Sequence, residues 1–198
     1  MSFWPYIARC KASVFLIPFL VAVGLPSATA VQPHATEVGL YPVTFTVEWS
    51  APRRAHVRVE ATIPASPQRI WLVLTDYDHL AEFVPPLEIS QVLKREPDHL
   101  ILYQKGRIWF PFYRRKAQVV FRVEEFPPKW VRFRMIQGEF VINQGRWSLR
   151  EVKGGTEIRY EAVVEPDFWI PQWVLYELER QTMKQTFRAV IKRCLSSP

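Results

Sequence analysis

Cysteine is nearly absent from this chain of 198 residues; Cys10 and Cys194 are the two examples. Cys10 falls in a segment that reads as a removable leader, and the one thiol then left allows neither an intrachain disulfide nor a Cys/His zinc set. The four histidines, His34, His56, His79 and His99, are scattered and show no metal-ligand spacing. Glycine is also scarce, at 7 residues, and no glycine-rich phosphate loop occurs, which leaves nucleotide binding without support. No G-x-S-x-G or H-E-x-x-H string is present. Beyond the first thirty residues no run is long and apolar enough to span a bilayer. Neither a cofactor nor a metal is therefore implied.

What is present is an ordinary globular composition, 48% apolar and 23% charged, of a length that suits one domain. The start reads differently. Arg9 and Lys11 are its only charges, Ala12 to Leu25 is an apolar run, and Ala28 and Ala30 close it in an A-x-A pattern. Such a string describes a secretory signal peptide over residues 1–30, with an uncleaved anchor as the alternative. Export to the periplasm, a lumen or the extracellular space is expected, with peripheral membrane association. The leader holds two of the 26 basic residues and no acidic one, so the remainder nets +5 from 24 basic against 19 acidic. That balance favours an anionic surface without demanding one. Cys194, left alone near a helix end, reads as inert packing.

Residues 31–54 read as a leading arm in which "VTFTVEW", Val43 to Trp49, alternates and adds a short strand. "HVRVEATI", His56 to Ile63, alternates cleanly and predicts a half-buried strand. Ser66 before Pro67 has the chemistry of a helix N-cap followed by proline at the first helical position. Two short helices are expected from there, with a break near Asp76 to Asp78. Strands are then predicted over Ile89–Arg95, His99–Ile108, Arg114–Glu125, Trp130–Gln137, Val141–Arg150 and Thr156–Glu165. The links "EPDH", "FPPK" and "KGG" carry turn chemistry, and such short connections make an antiparallel meander. Pro171 to Leu195 predicts one long helix. Its apolar stripe is Val174, Leu175, Leu178, Met183, Phe187, Val190, Ile191 and Leu195; Glu177, Glu179, Arg180, Lys184, Arg188, Lys192 and Arg193 make its other face. A curved sheet with a single long helix to cover it leaves room for a cavity between them.

The strings "ATIPASPQRIWLVLTDYDHLAEFVPPLEIS", "FRVEEFPPKWVRFRMIQGEF", "GRWSL" and "GGTEIRYEAVVEP", followed by the terminal helix, resemble the START-like superfamily, or helix-grip proteins. This superfamily includes birch-pollen allergen relatives, polyketide cyclases and coenzyme Q-binding START proteins. The likeness is nearest to bacterial coenzyme Q-binding and polyketide cyclase-like members, and it spans roughly His56 to Leu195. It implies an α+β helix-grip fold: a curved antiparallel sheet wrapped around a long C-terminal helix, with two short helices after the first strand. The domain would run over residues 55–198. The resemblance also implies a hydrophobic tunnel beneath the helix for a lipid, isoprenoid quinone or polyketide. Many members are carriers rather than enzymes.

Alternation places Val119, Phe121 and Val123 on one inward face, with Val131, Phe133 and Met135 beside them. Trp147, Ile158 and Tyr160 follow, and Met183 and Phe187 come from the helix; together these would line a cavity, the alternative being a solid core. Trp109, Phe110 and Phe112, flanked by Arg107, Arg114, Arg115 and Lys116, form the tip of a strand connection. Trp169 and Trp173 stand where the last strand enters the helix. Aromatic rings beside cations suit a lipid headgroup region, the alternative being a lid or core plug. Arg122, Arg132, Arg134, Arg146 and Arg159 alternate with apolar neighbours and pair with Glu124, Glu157 and Glu161 across strands, a pattern that argues against nucleic acid as a partner. Asp76, Asp78 and His79 invite acid–base chemistry, but turn and capping roles are the simpler reading. An exported carrier of an apolar small molecule is expected. A polyketide cyclase or dehydratase using the same cavity is the alternative, and a scaffold that binds a protein partner is a third reading. Polar content inside the cavity discriminates, and the inward set is mostly Val, Ile, Phe and Trp.

Overall fold

The structure, a computed structural model, describes residues 34–38, 41–110 and 113–196, with side chains described from Tyr41 onward except over 108–116. The leader expected over 1–30 lies outside the described residues, as do Phe112 and the side chains of Trp109 and Phe110. Backbone contacts divide the chain into Met1–Ala30 and Val31–Pro198, and the fold is that of the second unit.

Strands β1 (His34–Val38), β2 (Tyr41–Ala51) and β3 (Arg54–Ile63) come first. Helix α1 (Pro67–Leu74), a 3-10 turn (Tyr77–His79) and helix α2 (Leu80–Phe83) follow. The chain then runs through β4 (Leu87–Arg95), β5 (Leu100–Phe110), β6 (Tyr113–Phe126), β7 (Trp130–Gly138), β8 (Phe140–Val152) and β9 (Gly155–Pro166) into helix α3 (Gln172–Leu195). The strands form one open sheet in the order β1-β2-β3-β9-β8-β7-β6-β5-β4, antiparallel throughout.

Period-two burial explains the strands. In β3 Ala55, Val57, Val59, Ala61 and Ile63 are buried, and in β9 Thr156, Ile158, Tyr160, Ala162 and Val164 are. Their polar neighbours face out, where Arg58 bonds Glu161 at 2.9 Å and Arg159 pairs with Glu60 at 2.7 Å. The segment read as an arm is more than that. Val43, Phe45 and Val47 of β2 are buried in the main core, and β2 pairs with β3 from Val43 to Ala51. With β1 added ahead of the short strand expected at Val43–Trp49, three strands precede the short helices.

Helix α1 starts as expected: the Ser66 hydroxyl accepts the Arg69 N–H at 3.2 Å, with Pro67 at the first position. Helix α3 has no side-chain cap at its start. Its last carbonyls are served from another element: the Arg69 guanidinium donates to the carbonyls of Arg193 at 3.1 Å, Cys194 at 3.4 Å and Ser196 at 3.0 Å. A cation at a helix C-terminus also complements its dipole. At the opposite end Arg53 donates to the Phe168 carbonyl at 2.9 Å and Arg54 pairs with Glu165 at 2.7 Å, so the β2–β3 corner holds the segment that leads into α3. No helix among the described residues is long and apolar enough to cross a membrane.

Candidate functional site: an apolar cavity under the long helix

Between the sheet and the N-terminal half of α3 lies a cavity of about 590 Å³, inside the range typical of small-molecule sites, roughly 300–1,000 Å³. Leu102, Val119, Phe121, Val123 and Val131 form much of the sheet wall; Leu175, Leu178 and Met183 come from α3. The short-helix segment closes one side with Leu74, Tyr77, Leu80 and Val84.

Of the eleven residues expected on such a lining, the structure brings eight together: Val119, Phe121, Val123, Val131, Phe133, Trp147, Tyr160 and Met183. Three lie elsewhere. Ile158 and Phe187 share the inward face but belong to the closed end, fully buried in the main core. Met135 is half-buried beside the second core cluster, near the bulge between Val120 and Phe121 that shifts the β6–β7 register.

An aromatic platform gives the wall its shape. Phe121 meets Phe133 edge-on at 5.4 Å, Phe133 stacks on Tyr160 at 6.0 Å, and Trp147 lies 4.7 Å from Tyr160 and 5.4 Å from Phe187. Gly145 makes room for it. A Cβ there would stand 2.4 Å from the Glu161 carbonyl oxygen and 2.8 Å from the edge of the Phe133 ring.

The polar groups on this wall are the part that alternation does not reveal. Glu179, grouped above with the solvent face of the helix, faces the cavity instead, on one helical line with Leu175, Thr182 and Thr186. The surrounding protein is interior-like, and what exposure the side chain keeps opens into the hollow that it lines. No hydrogen bond or salt bridge reaches its carboxyl among the described residues. Burial, with no nearby cation to oppose it, pushes its pKa up to about 7. Burial foremost, and then the charge of Glu179, drives Tyr160 far above the usual phenol range. At the short-helix side the Tyr77 hydroxyl is buried near the Glu125 carboxylate. Burial, followed by the charge and the hydrogen-bonding of Glu125, keeps Tyr77 protonated. The signal that finds Glu179 from sequence is positional: it falls four residues after Leu175 and three before Thr182.

The remaining candidates fall as follows. Trp169 is 78% and Trp173 65% exposed, beside Phe168 and Ile170, which border the cavity. Arg107 and Ala117, at the base of the β5–β6 tip, border it too. Asp76 bonds His79 at 2.6 Å and Asp78 accepts the Val92 N–H at 2.7 Å, so this trio ties the helical segment to itself and to β4. Burial pushes the Cys194 thiol up to about 11, which makes it unreactive. The outer face holds an open depression of about 650 Å³ whose arginines are largely paired: Arg146 with Glu161 at 3.6 Å, Arg132 with Glu124 at 3.6 Å and Arg122 with Asp98 at 2.9 Å.

An open antiparallel sheet that grips a C-terminal helix over an apolar hollow defines the helix-grip, START-like class. The chain belongs to the family described as polyketide cyclase / dehydrase and lipid transport, whose model matches residues 63–191. Solved structures agree on the fold. A STAR-related lipid transfer protein from Xanthomonas axonopodis is 18% identical, with TM-score 0.65 over 82% of this chain and 97% of that one. The Zhui aromatase/cyclase of a Streptomyces species is 14% identical, with TM-score 0.63 over 71% and 93%. A Thermus thermophilus protein is 21% identical, with TM-score 0.60 over 71% and 97%. A sequence search of curated proteins returns no match.

Proposed function

We propose that the protein is an exported carrier, or sequestering protein, for an apolar small molecule, a lipid or isoprenoid quinone held in the cavity under α3. The hollow itself supports this reading: about 590 Å³ walled by Val, Leu, Phe, Met and Trp side chains. Each buried methylene contributes about 0.8 kcal/mol gross, so a short hydrocarbon tail is retained after ordering losses. The basic, apolar, A-x-A start supports export. Exposed Trp169 and Trp173 near the cavity wall support peripheral contact with a membrane from which a ligand is drawn. The test is organic extraction of the purified protein followed by mass spectrometry. A lipid or quinone recovered at near-stoichiometric amounts is expected. An empty extract, with no uptake of added lipid or quinone, contradicts the reading.

One observation favours an enzyme in the same cavity, a cyclase or dehydratase acting on a polyketide-like substrate. Glu179 and Tyr160 are acid and hydroxyl groups on a mostly apolar wall. The two readings separate on the fate of the ligand, recovered unchanged from a carrier and altered by an enzyme.

A further inference from the structure

Glu179 is a buried group that a purely apolar pocket does not need. It lines the cavity, lacks any partner among the described residues, and shares the lining of the hollow with Tyr160. The charge of Glu179 reaches the Tyr160 phenol. The platform of Phe133 and Trp147 fixes the Tyr160 ring from two sides, at 6.0 Å and 4.7 Å. Asn143, Thr182, Gln185 and Thr186 also line the hollow but carry no acid, and three other polar groups on the wall are engaged. Gln181 donates to Glu177 at 2.8 Å, Gln104 donates to Ser90 at 3.2 Å, and Arg107 pairs with Glu88.

We propose that Glu179 and Tyr160 form a two-donor anchor for a carbonyl oxygen on the apolar ligand, such as that of a ketone, quinone or ester, and that the anchor releases it when Glu179 ionises. The proposal rests on the carrier reading and adds the ligand's functional group. A neutral carboxylic acid in an apolar site donates a hydrogen bond at neutral pH, and a phenol on the wall of the same hollow can supply a second donor to a carbonyl held between them. Burial holds Glu179 neutral below about pH 7. Above that pH the carboxylate has no proton to donate and repels the carbonyl lone pairs. The other titratable groups on the cavity wall are Tyr160 of β9, Tyr77 of the 3-10 turn and Arg107 of β5. The two tyrosines stay protonated throughout, and Arg107 is engaged by Glu88, so Glu179 alone titrates.

The experiment compares three probes of matched length, a long-chain methyl ketone (2-tridecanone), its alkane (tridecane) and its primary amine (tridecylamine). Binding is read from tryptophan fluorescence of the full chain, Trp147 standing in the wall. Wild type should bind the ketone about tenfold tighter than the alkane at about pH 5.5 and lose that preference at about pH 8.5. The ketone's C=O stretch should move to lower wavenumber on binding. Glu179→Leu should bind both probes alike at either pH, with the stretch less shifted. Glu179→Gln, which donates at every pH and keeps the shape, should keep the preference without the pH dependence. Equal binding of ketone and alkane by wild type at the lower pH overturns the anchor while leaving the carrier reading intact. Amine binding tighter than ketone binding already at the lower pH overturns it in favour of a cation site, because Glu179 would then be ionised where the anchor needs it neutral. Failure to bind any of the three overturns both.

Discussion

The two halves of helix α3 cover the same sheet and do opposite things. Phe187, Ile191 and Cys194 of the C-terminal half pack with Ile63, Ile70 and Val73 in a solid core. Leu175, Leu178, Glu179 and Thr182 of the N-terminal half roof a hollow. Backbone geometry does not distinguish the halves; side-chain volume and what lies beneath do. Under the C-terminal half the α1 helix fills the gap and locks the helix end through Arg69. Under the N-terminal half the helix carries Glu and Thr where large apolar residues would be needed to fill the space. A helix can thus anchor a fold at one end and leave room for cargo at the other.

Side-chain truncation breaks this comparison most strongly. Phe187→Ala removes a fully buried ring from the solid half and should cost about 3–5 kcal/mol in denaturant unfolding. Leu178→Ala, on the roof of the hollow, already faces empty space on one side and should cost about 1 kcal/mol or less. Equal losses would mean that both halves are packed alike.

Acidity sharpens the contrast next. The folded state holds the Glu179 proton up to about pH 7, against an ordinary value of 4.5. Below the ordinary value both states are protonated and the site has no effect. Between the two values the unfolded state ionises first, so stability falls as pH rises, then levels off above the folded value. The full effect is on the order of 3 kcal/mol. Glu179→Gln should therefore raise the melting temperature at about pH 8 and leave it nearly unchanged at about pH 4. An equal shift at both pH values would place Glu179 in solvent.

A smaller effect is expected at the locked end. Arg69→Ala frees three carbonyls at the C-terminus of α3 and should cost about 1–2 kcal/mol, read as a lower melting temperature with faster amide exchange in the last turn. Smallest of all, Trp169→Ser with Trp173→Ser should change stability by no more than about 0.5 kcal/mol, because both rings are exposed. The same pair should weaken binding to anionic vesicles, and unchanged vesicle binding would remove these rings from any membrane contact.

Much of this was legible in the amino-acid order. Period-two alternation located β4 to β9 to within two residues at either end, and the Ser66–Pro67 pair marked the start of α1. Strand β2 is longer than the alternation of Val43, Phe45 and Val47 suggests, because its ends, Tyr41 and Ala51, are half-buried and carry no clear pattern. The cavity lining was harder. Alternation says which face a residue takes, not how deep the opposite wall lies, so Ile158 and Tyr160 look equivalent although one is in the solid core and the other borders the hollow. Glu179 was misplaced for a related reason. An apolar stripe identifies the buried side of a helix only where the interior is filled. Over a hollow, a polar residue faces inward without leaving the helical pattern.

Filling the hollow tests the central claim most directly. Ala117 borders the cavity, and Ala117→Phe would extend a ring into it. Native mass spectrometry of the full chain with added 2-tridecanone should show one bound molecule in wild type and none in the filled variant, with both proteins melting at similar temperatures. Undiminished uptake by a folded Ala117→Phe variant would contradict the account, since the ligand would then be bound somewhere other than beneath the N-terminal half of α3.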